Sequence, residues 1–136
     1  MVDIAKLDKE FQEIVIMKNT LYDLGYDNPK YDEMEEQLHD LEDDFVDEFG
    51  DYLEDALKEI HDKYCPDNDI LLPIAYMANR YFIDEKNVYS VEAKEGVFVD
   101  ADDFPGNNPR LVMLPNPTRF VLYSGTGVAE IVWLAK

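Results

Sequence analysis

The chain is short of cysteine, of positive charge and of long hydrophobic runs, and each shortage excludes a class of protein. Among its 136 residues only Cys65 is a cysteine, which excludes an internal disulfide framework and a cysteine-built zinc site. There are 12 basic and 31 acidic side chains, a formal net charge of -19, which is the opposite of what nucleic acid or anionic lipid attracts.

Hydrophobic targeting segments are also missing from the sequence. No stretch approaches the ~18 apolar residues of a membrane span, and residues 1–6 lack the basic start and apolar run of a signal peptide. We therefore expect a soluble protein of the cytoplasm that contacts neither a membrane nor nucleic acid directly.

The chain does contain enough apolar material for one domain. Hydrophobic residues make up 46% of it and aromatic residues 12%, so it is not disordered as a whole. Its charge is unevenly distributed, because residues 1–69 hold 23 acidic and 6 basic side chains whereas residues 70–136 hold 8 and 6. We expect a single domain over 1–136, in which 1–66 form an acidic helical hairpin and 67–136 form mainly a β meander.

Apolar spacing predicts two helices in the acidic part. The first begins near Asp3, a favourable N-cap, and ends at Gly25. The second runs for about 36 residues from near Pro29 to Cys65, with Gly50 as a candidate kink. Its apolar seam steps by threes and fours: Tyr31, Met34, Leu38, Leu41, Phe45, Phe49, Tyr52, Ala56 and Ile60. A short link makes the two helices an antiparallel hairpin.

The remaining sequence predicts strands and turns. Residues 70–82 fit either a buried strand or, as we favour, a short helix from Pro73. Five short strands follow in an antiparallel meander, at residues 88–93, 97–101, 110–114, 119–124 and 128–134. A tight turn at 125–127 joins the last two. The fully apolar run 131–134 predicts a strand covered on both faces, with Ile131 and Trp133 on one side. The predicted fold class is α+β: an N-terminal helical hairpin with a long second helix, packed on a C-terminal antiparallel sheet of about five strands.

One face of the second helix carries a row of carboxylates. Between Asp32 and Asp55 there are 13 acidic residues in 24 positions and no lysine or arginine. At ~100° per residue, six of them lie within about 80° opposite the seam and span ~27 Å. We call this set the acidic row: Glu36, Asp40, Asp43, Asp47, Asp51 and Glu54. Neighbouring like charges repel by ~0.2–0.5 kcal/mol per pair, and packing of the seam must offset that cost.

Two interpretations of the acidic row compete. It provides solubility or follows a general acidic bias, although a general bias would also reach the nearly neutral second part. Alternatively, it binds a basic protein by steered, salt-sensitive association. A protein that normally binds nucleic acid has a basic surface that is complementary to this row. Nucleic-acid mimics and toxin-neutralising immunity proteins work on this logic, an analogy of class without any family motif. Tyr31, with Tyr22 and Tyr26 around the hairpin turn, would add a recognition patch.

Motifs that would support catalysis are weak. Glu36 and His39 have the Glu-x-x-His spacing of di-iron bundles, but no second motif accompanies His61. Cys65 follows His61 by four residues at a helix C-terminus, where the helix dipole disfavours a thiolate, so we expect a buried structural thiol. Ser124 is not in a nucleophile elbow. We expect a binding protein, an adaptor or inhibitor, with no catalytic residue, metal or cofactor.

Two alternatives remain open. A pocket between the sheet and the helices would bind a small molecule or catalyse a reaction, with Arg80, Arg110 and Arg119 as the residues to inspect. A homo-oligomer would pair the seam of the second helix with its copy, against the repulsion of the acidic face. The sequence does not predict the oligomeric state.

Overall fold

The computed structural model describes residues 2–101, 104, 108–124 and 129–136. The first element along the chain is the first of the two predicted helices. Helix α1 spans Ile4–Leu24. Its N-cap is Asp3, whose carboxylate accepts a hydrogen bond from the Lys6 amide at 3.1 Å. Gly25 ends the helix at a positive φ of 81° and donates its own N–H back to a carbonyl of the last turn. Both predicted ends of this helix are confirmed.

Helix α2 spans Tyr31–Tyr64 and is a single helix of 34 residues. It continues through Gly50 without interruption, so the chain is not split there. Cys65 ends it and donates its backbone N–H to the carbonyl of His61 at 2.9 Å. At 1.5 Å per residue α2 is about 51 Å long and α1 about 32 Å, so α2 extends well beyond its partner.

The two helices pack as an antiparallel hairpin. Lys6 near the start of α1 pairs with Glu48, whereas Lys18 near its end pairs with Glu42, so positions along the two helices run in opposite directions. The apolar seam of the first half of α2 packs against α1. The second half packs on the segment 73–76 and on the last strand, which cover the part of the seam that α1 does not reach.

In the part of the chain that the structure describes, six short strands form two antiparallel sheets. The small sheet pairs β1 with β2, and the main sheet has the order β3-β4-β5-β6. The strands are β1 Phe82–Ile83, β2 Tyr89–Ser90, β3 Val97–Phe98, β4 Arg110–Leu114, β5 Arg119–Tyr123 and β6 Ala129–Leu134. The predicted α+β class with a helical hairpin is therefore confirmed, with the strands divided between a sheet of four and a sheet of two. The predicted turn at 125–127 lies outside the described residues.

The segment before β1 forms one turn of 3-10 helix at Pro73–Tyr76. The helix expected from Pro73 therefore begins where it was predicted but ends after a single turn. Met77 then runs beside the main sheet in an isolated parallel bridge to Met113. Residues 70–72 form no strand and leave their apolar side chains exposed.

The predicted hairpin between residues 88–93 and 97–101 is wrong. Residues 89–90 pair instead with 82–83. The predicted turn between them, residues 94–96, packs against the segment before β1. The buried Glu95 carboxylate accepts hydrogen bonds there from the backbone amides of Asn79 at 2.8 Å and Arg80 at 3.0 Å. Gly96 lies so close to β4, at φ 89°, that a Cβ there would be 2.7 Å from the Leu111 carbonyl oxygen.

The prediction that β6 is covered on both faces is also wrong. Phe120 pairs with Trp133 but Val121 pairs with Ile131, so β6 contains one extra residue at a bulge. The bulge turns Trp133 inward, where its ring contacts Phe120 at 5.7 Å between centroids. Ile131 consequently points the other way and remains 57% exposed.

Candidate functional site

The acidic row lies on the outer face of α2. Glu36, Asp40, Asp43, Asp47 and Asp51 are exposed, and Glu54 is half-buried. The opposite face is buried through Leu38, Phe45, Phe49, Leu53, Ala56, Leu57 and Ile60. Because that buried face fixes the helix, the carboxylates are presented on a rigid support.

No cation of the described chain neutralises the acidic row. Three lysines near α2 each pair with a carboxylate outside the row: Lys6 with Glu48 at 2.8 Å, Lys18 with Glu42 at 3.9 Å and Lys58 with Asp55 at 3.9 Å. Within the part of the chain that the structure describes, the six row carboxylates have neither an ion pair nor a side-chain hydrogen bond. Any neutralising charge must therefore come from solvent ions or from another molecule.

Tyr31 does not lie on the acidic row. It precedes Glu36 by five residues, which places it about 140° around the helix, on the flank of α2 that faces α1. Its ring packs against Tyr26 at 4.8 Å between centroids, tilted by 41°. Tyr31 and the acidic row thus lie on different sides of α2.

Tyr31 lines a cleft of about 530 Å³ between the end of α1 and the start of α2. We call it the tyrosine cleft, after the three rings that border it. Its walls include Tyr22, Tyr26, Tyr31, Glu35, His39 and Lys18. Tyr22 and Tyr26 are 54% and 84% exposed, so the cleft opens to solvent along aromatic surface.

Lys18, on the wall of the tyrosine cleft, belongs to a partly buried ion pair. The side chains of Lys18 and Glu42 are only 13% and 12% exposed and their charged atoms lie 3.9 Å apart. Burial lowers the pKa of Lys18, and the attraction of Glu42 acts in the opposite direction. Glu35, half-buried on the wall, has no ion-pair partner among the described residues.

The three arginines singled out by the sequence do not converge on one site. Arg110 is opposite Tyr123 at one end of the β4–β5 pair, and Arg119 is opposite Leu114 at the other end. Arg110 donates to the Gly96 carbonyl at 3.2 Å, and Arg119 donates to the carbonyls of the 115–117 turn at 2.8 and 2.9 Å. Both side chains therefore brace backbone.

Arg80, the third of these arginines, lies beside the tyrosine cleft. Its guanidinium carbon is 5.0 Å from the centroid of the Tyr22 ring and 5.6 Å from that of Phe82. It also forms an ion pair with Asp23 at 3.3 Å. Arg80 is therefore already occupied by two rings and a carboxylate of its own chain.

A second groove, of about 330 Å³, lies between the β2 region and one face of the main sheet. Its walls are mainly apolar and include Tyr89, Val91, Val112, Val121 and Tyr123. No charged side chain lines its described part. The small-molecule pocket that the sequence suggested would thus have no arginine here to hold an anionic ligand.

His61 and Cys65 do not form a catalytic pair. The two ring nitrogens of His61 are each 3.1 Å from a partner, one from the Asn68 carbonyl and one from the Tyr76 hydroxyl. Tyr76 in turn accepts a hydrogen bond from the Leu71 amide at 3.1 Å. Burial raises the pKa of Cys65 to about 11, so its thiol is protonated at neutral pH. Both side chains are structural.

Neither a metal centre nor a membrane span emerges from the described part of the chain. Its histidine, cysteine, aspartate and glutamate side chains form no group of three or more that would hold a metal ion. No helix in that part is both long and apolar enough to cross a membrane. His39, from the Glu-x-x-His spacing, is an exposed residue on the wall of the tyrosine cleft.

No protein-family model, curated protein or solved structure matches this chain. What the protein does is therefore inferred from the charge and shape of its own surfaces. The acidic row and the tyrosine cleft are two features of the described residues that packing does not explain.

The sequence contained part of the signal for the cleft. Tyr31, Glu35 and His39 are spaced by four residues, so they share one flank of α2. Lys18 and Asn79 gave no local signal, because they reach the cleft only after the hairpin and the sheet have packed.

Proposed function

We propose that this protein is a small binding protein of the cytoplasm that docks a basic protein through the acidic row and acts as an adaptor or inhibitor. The observation that carries the proposal is that no cation of the described residues pairs with the row, while nearby lysines pair with carboxylates elsewhere. A solvated helix face usually mixes charges, since such pairs stabilise it.

The geometry of α2 favours a protein surface as the partner. Its carboxylates are fixed at steps of about 5–6 Å over ~27 Å, a length comparable to one side of a standard protein interface. A surface that normally binds phosphates is complementary in charge to such a row. Occupying that surface would exclude its usual ligand, which is how binding would become inhibition.

Association would depend strongly on salt. A concentrated negative field raises the rate at which a basic partner is captured, and this gain falls as ions screen it. Charge complementarity raises the association rate and sets the orientation more than it raises the affinity. The affinity of the complex therefore depends on desolvated contacts beside the row.

Two variants with equal charge changes test the proposal. The row variant changes Asp40, Asp43, Asp47 and Asp51 to asparagine. The control variant removes four exposed charges outside α2: Asp67→Asn, Asp69→Asn, Glu85→Gln and Glu130→Gln. Circular dichroism verifies that both fold.

Each protein is immobilised in native lysate, and captured proteins are identified and then purified for a direct binding measurement. We expect a basic protein to bind the wild type and the control variant, to bind the row variant at least tenfold more weakly, and to be released between about 50 and about 300 mM salt. Equal loss in both variants, or equal retention, would contradict a role for the row.

A further inference from the structure

We propose that the tyrosine cleft is the anchor site of this interface and receives an arginine side chain of the basic partner. The inference rests on the proposed function, because it assigns a second contact to the same partner. It differs in chemistry, since the row supplies diffuse charge and the cleft supplies a shaped, aromatic recess.

Tyr26 offers the most exposed ring of the cleft. It is 84% exposed, and its ring packs against Tyr31 at 4.8 Å between centroids. Tyrosine provides a large contact area at low cost in side-chain entropy, and aromatic residues are enriched at interface centres. The three tyrosines at this end of the hairpin form an aromatic patch, and exposed apolar patches of this kind mark interaction sites.

The chain itself shows that one of these rings accepts a guanidinium. Arg80 lies over the Tyr22 ring, with its guanidinium carbon 5.0 Å from the ring centroid, and its charge is balanced by Asp23 at 3.3 Å. A planar guanidinium stacks on aromatic faces more effectively than the compact ammonium of lysine does. The walls of the cleft likewise combine tyrosine rings with a carboxylate that has no ion-pair partner among the described residues.

Glu35 supplies that unused carboxylate. It lies half-buried on the wall of the cleft, four residues after Tyr31, without an ion-pair partner among the described residues. Among the described residues that line the cleft, the only ammonium belongs to Lys18, whose side chain is 13% exposed and paired with Glu42. An anionic ligand would therefore meet a neutralised lysine inside a strongly acidic molecule, whereas an arginine would meet an open carboxylate.

The cleft also lies within reach of the row. Glu35 and His39 directly precede Glu36 and Asp40, so the two sites are separated by about 100° of one helix surface. A partner bound to the row can extend one side chain around the surface of α2 into the cleft. Both contacts then belong to one continuous interface.

Titration with blocked amino acids tests the anchor without a known partner. The 15N-labelled protein receives N-acetyl-arginine amide up to about 50 mM, since one side chain supplies only a millimolar dissociation constant. Parallel titrations at equal ionic strength use the citrulline analogue, which keeps the shape without the charge, and the lysine analogue. Backbone amide shifts report the location of binding.

We expect saturable shifts at the amides of residues 22–39 with arginine, and at least threefold weaker binding of the other two probes. Tyr26→Ala and Glu35→Gln should each weaken arginine binding about three- to tenfold. Two controls leave the cleft intact and should bind arginine normally: Glu59→Gln, which removes an exposed α2 charge, and Phe98→Ala, which removes an exposed ring.

Several results would overturn the inference. These are absence of saturable shifts, shifts centred on the acidic row, equal binding of citrulline or lysine, or normal binding by the two cleft variants. The row variant separates this proposal from the preceding one, since it should keep its arginine shifts while losing the basic partner. Arginine binding without any captured partner would refute the docking function and leave the cleft standing.

Discussion

Single polar side chains connect the helical hairpin to the rest of the molecule. The side-chain amide of Asn19 on α1 pairs with the backbone of Tyr81 in both directions, accepting from its N–H at 2.8 Å and donating to its carbonyl at 3.0 Å. The Glu95 carboxylate binds the backbone amides of Asn79 and Arg80, the two residues before Tyr81, in a similar way. These partners are far apart in sequence, so neither contact was predictable from spacing, although each removes buried polar groups from competition with water.

Cys65 gives a residue-level prediction about alkaline pH. Its pKa is raised to about 11, first by burial and then by the carboxylate of Asp100, whereas the unfolded thiol titrates near 9. Between these values the unfolded chain loses a proton that the folded chain keeps, so the free energy of unfolding falls as pH rises. The loss should reach at most about 2 to 3 kcal/mol and be absent below pH ~8.5.

Urea denaturation of the wild type and of Cys65→Ala at pH values from about 8 to about 11 measures this effect. Burial also raises the pKa of Tyr76, Tyr81 and Tyr123, so the titration of these tyrosines in the unfolded chain lowers stability at high pH as well, but it does so equally in both proteins. The stability advantage of the wild type should therefore shrink with pH. A difference that stays constant with pH would show that folding does not raise the pKa of the Cys65 thiol.

The individual elements differ in how far the sequence determined them. Both helices were predictable because Asp3, Gly25 and an unbroken seam are local signals, and β4 and β5 were predictable from residues 110–124. The pairing of β2 with β1 and the bulge in β6 were not, since alternation does not identify a partner strand. The acidic row followed from helical geometry, whereas the cleft needed the packed hairpin.

At the same scale, the acidic row should cost stability. The row variant removes the five repulsions between neighbouring carboxylates, so its free energy of unfolding should rise by about 1 to 2.5 kcal/mol at low salt. Urea denaturation of the wild type, the row variant and the control variant measures the gain. Added salt of about 0.5 M should narrow the gap by screening. A row variant no more stable than the control variant would contradict the repulsion on which the functional argument depends.

In the whole molecule, α2 joins the helical hairpin to the sheet region, because α1 packs on its first half and the 3-10 helix and β6 pack on its second. Trp133, the single tryptophan, contacts Tyr52 of α2 at 5.5 Å between ring centroids and therefore reports on this junction. We expect far-UV circular dichroism and tryptophan fluorescence to give one coincident unfolding transition.

The buried side chain of Leu57 on the second half of α2 provides the test of this coupling. Leu57→Ala should lower the free energy of unfolding by about 2–5 kcal/mol and shift both signals together. Exposed Leu72→Ala, on the segment before the 3-10 helix, is the matched change and should have little effect. Separate transitions for the two signals would show that the hairpin and the sheet unfold independently.

The shared helix also has a consequence for the order in which the chain is made. The second half of α2 is synthesised well before β6, so its apolar seam emerges from the ribosome some seventy residues ahead of the strand that covers it. Uncovered seams of nascent chains are prone to stick to one another. The carboxylates on the opposite face of the same helix would hold such chains apart during that interval by mutual repulsion.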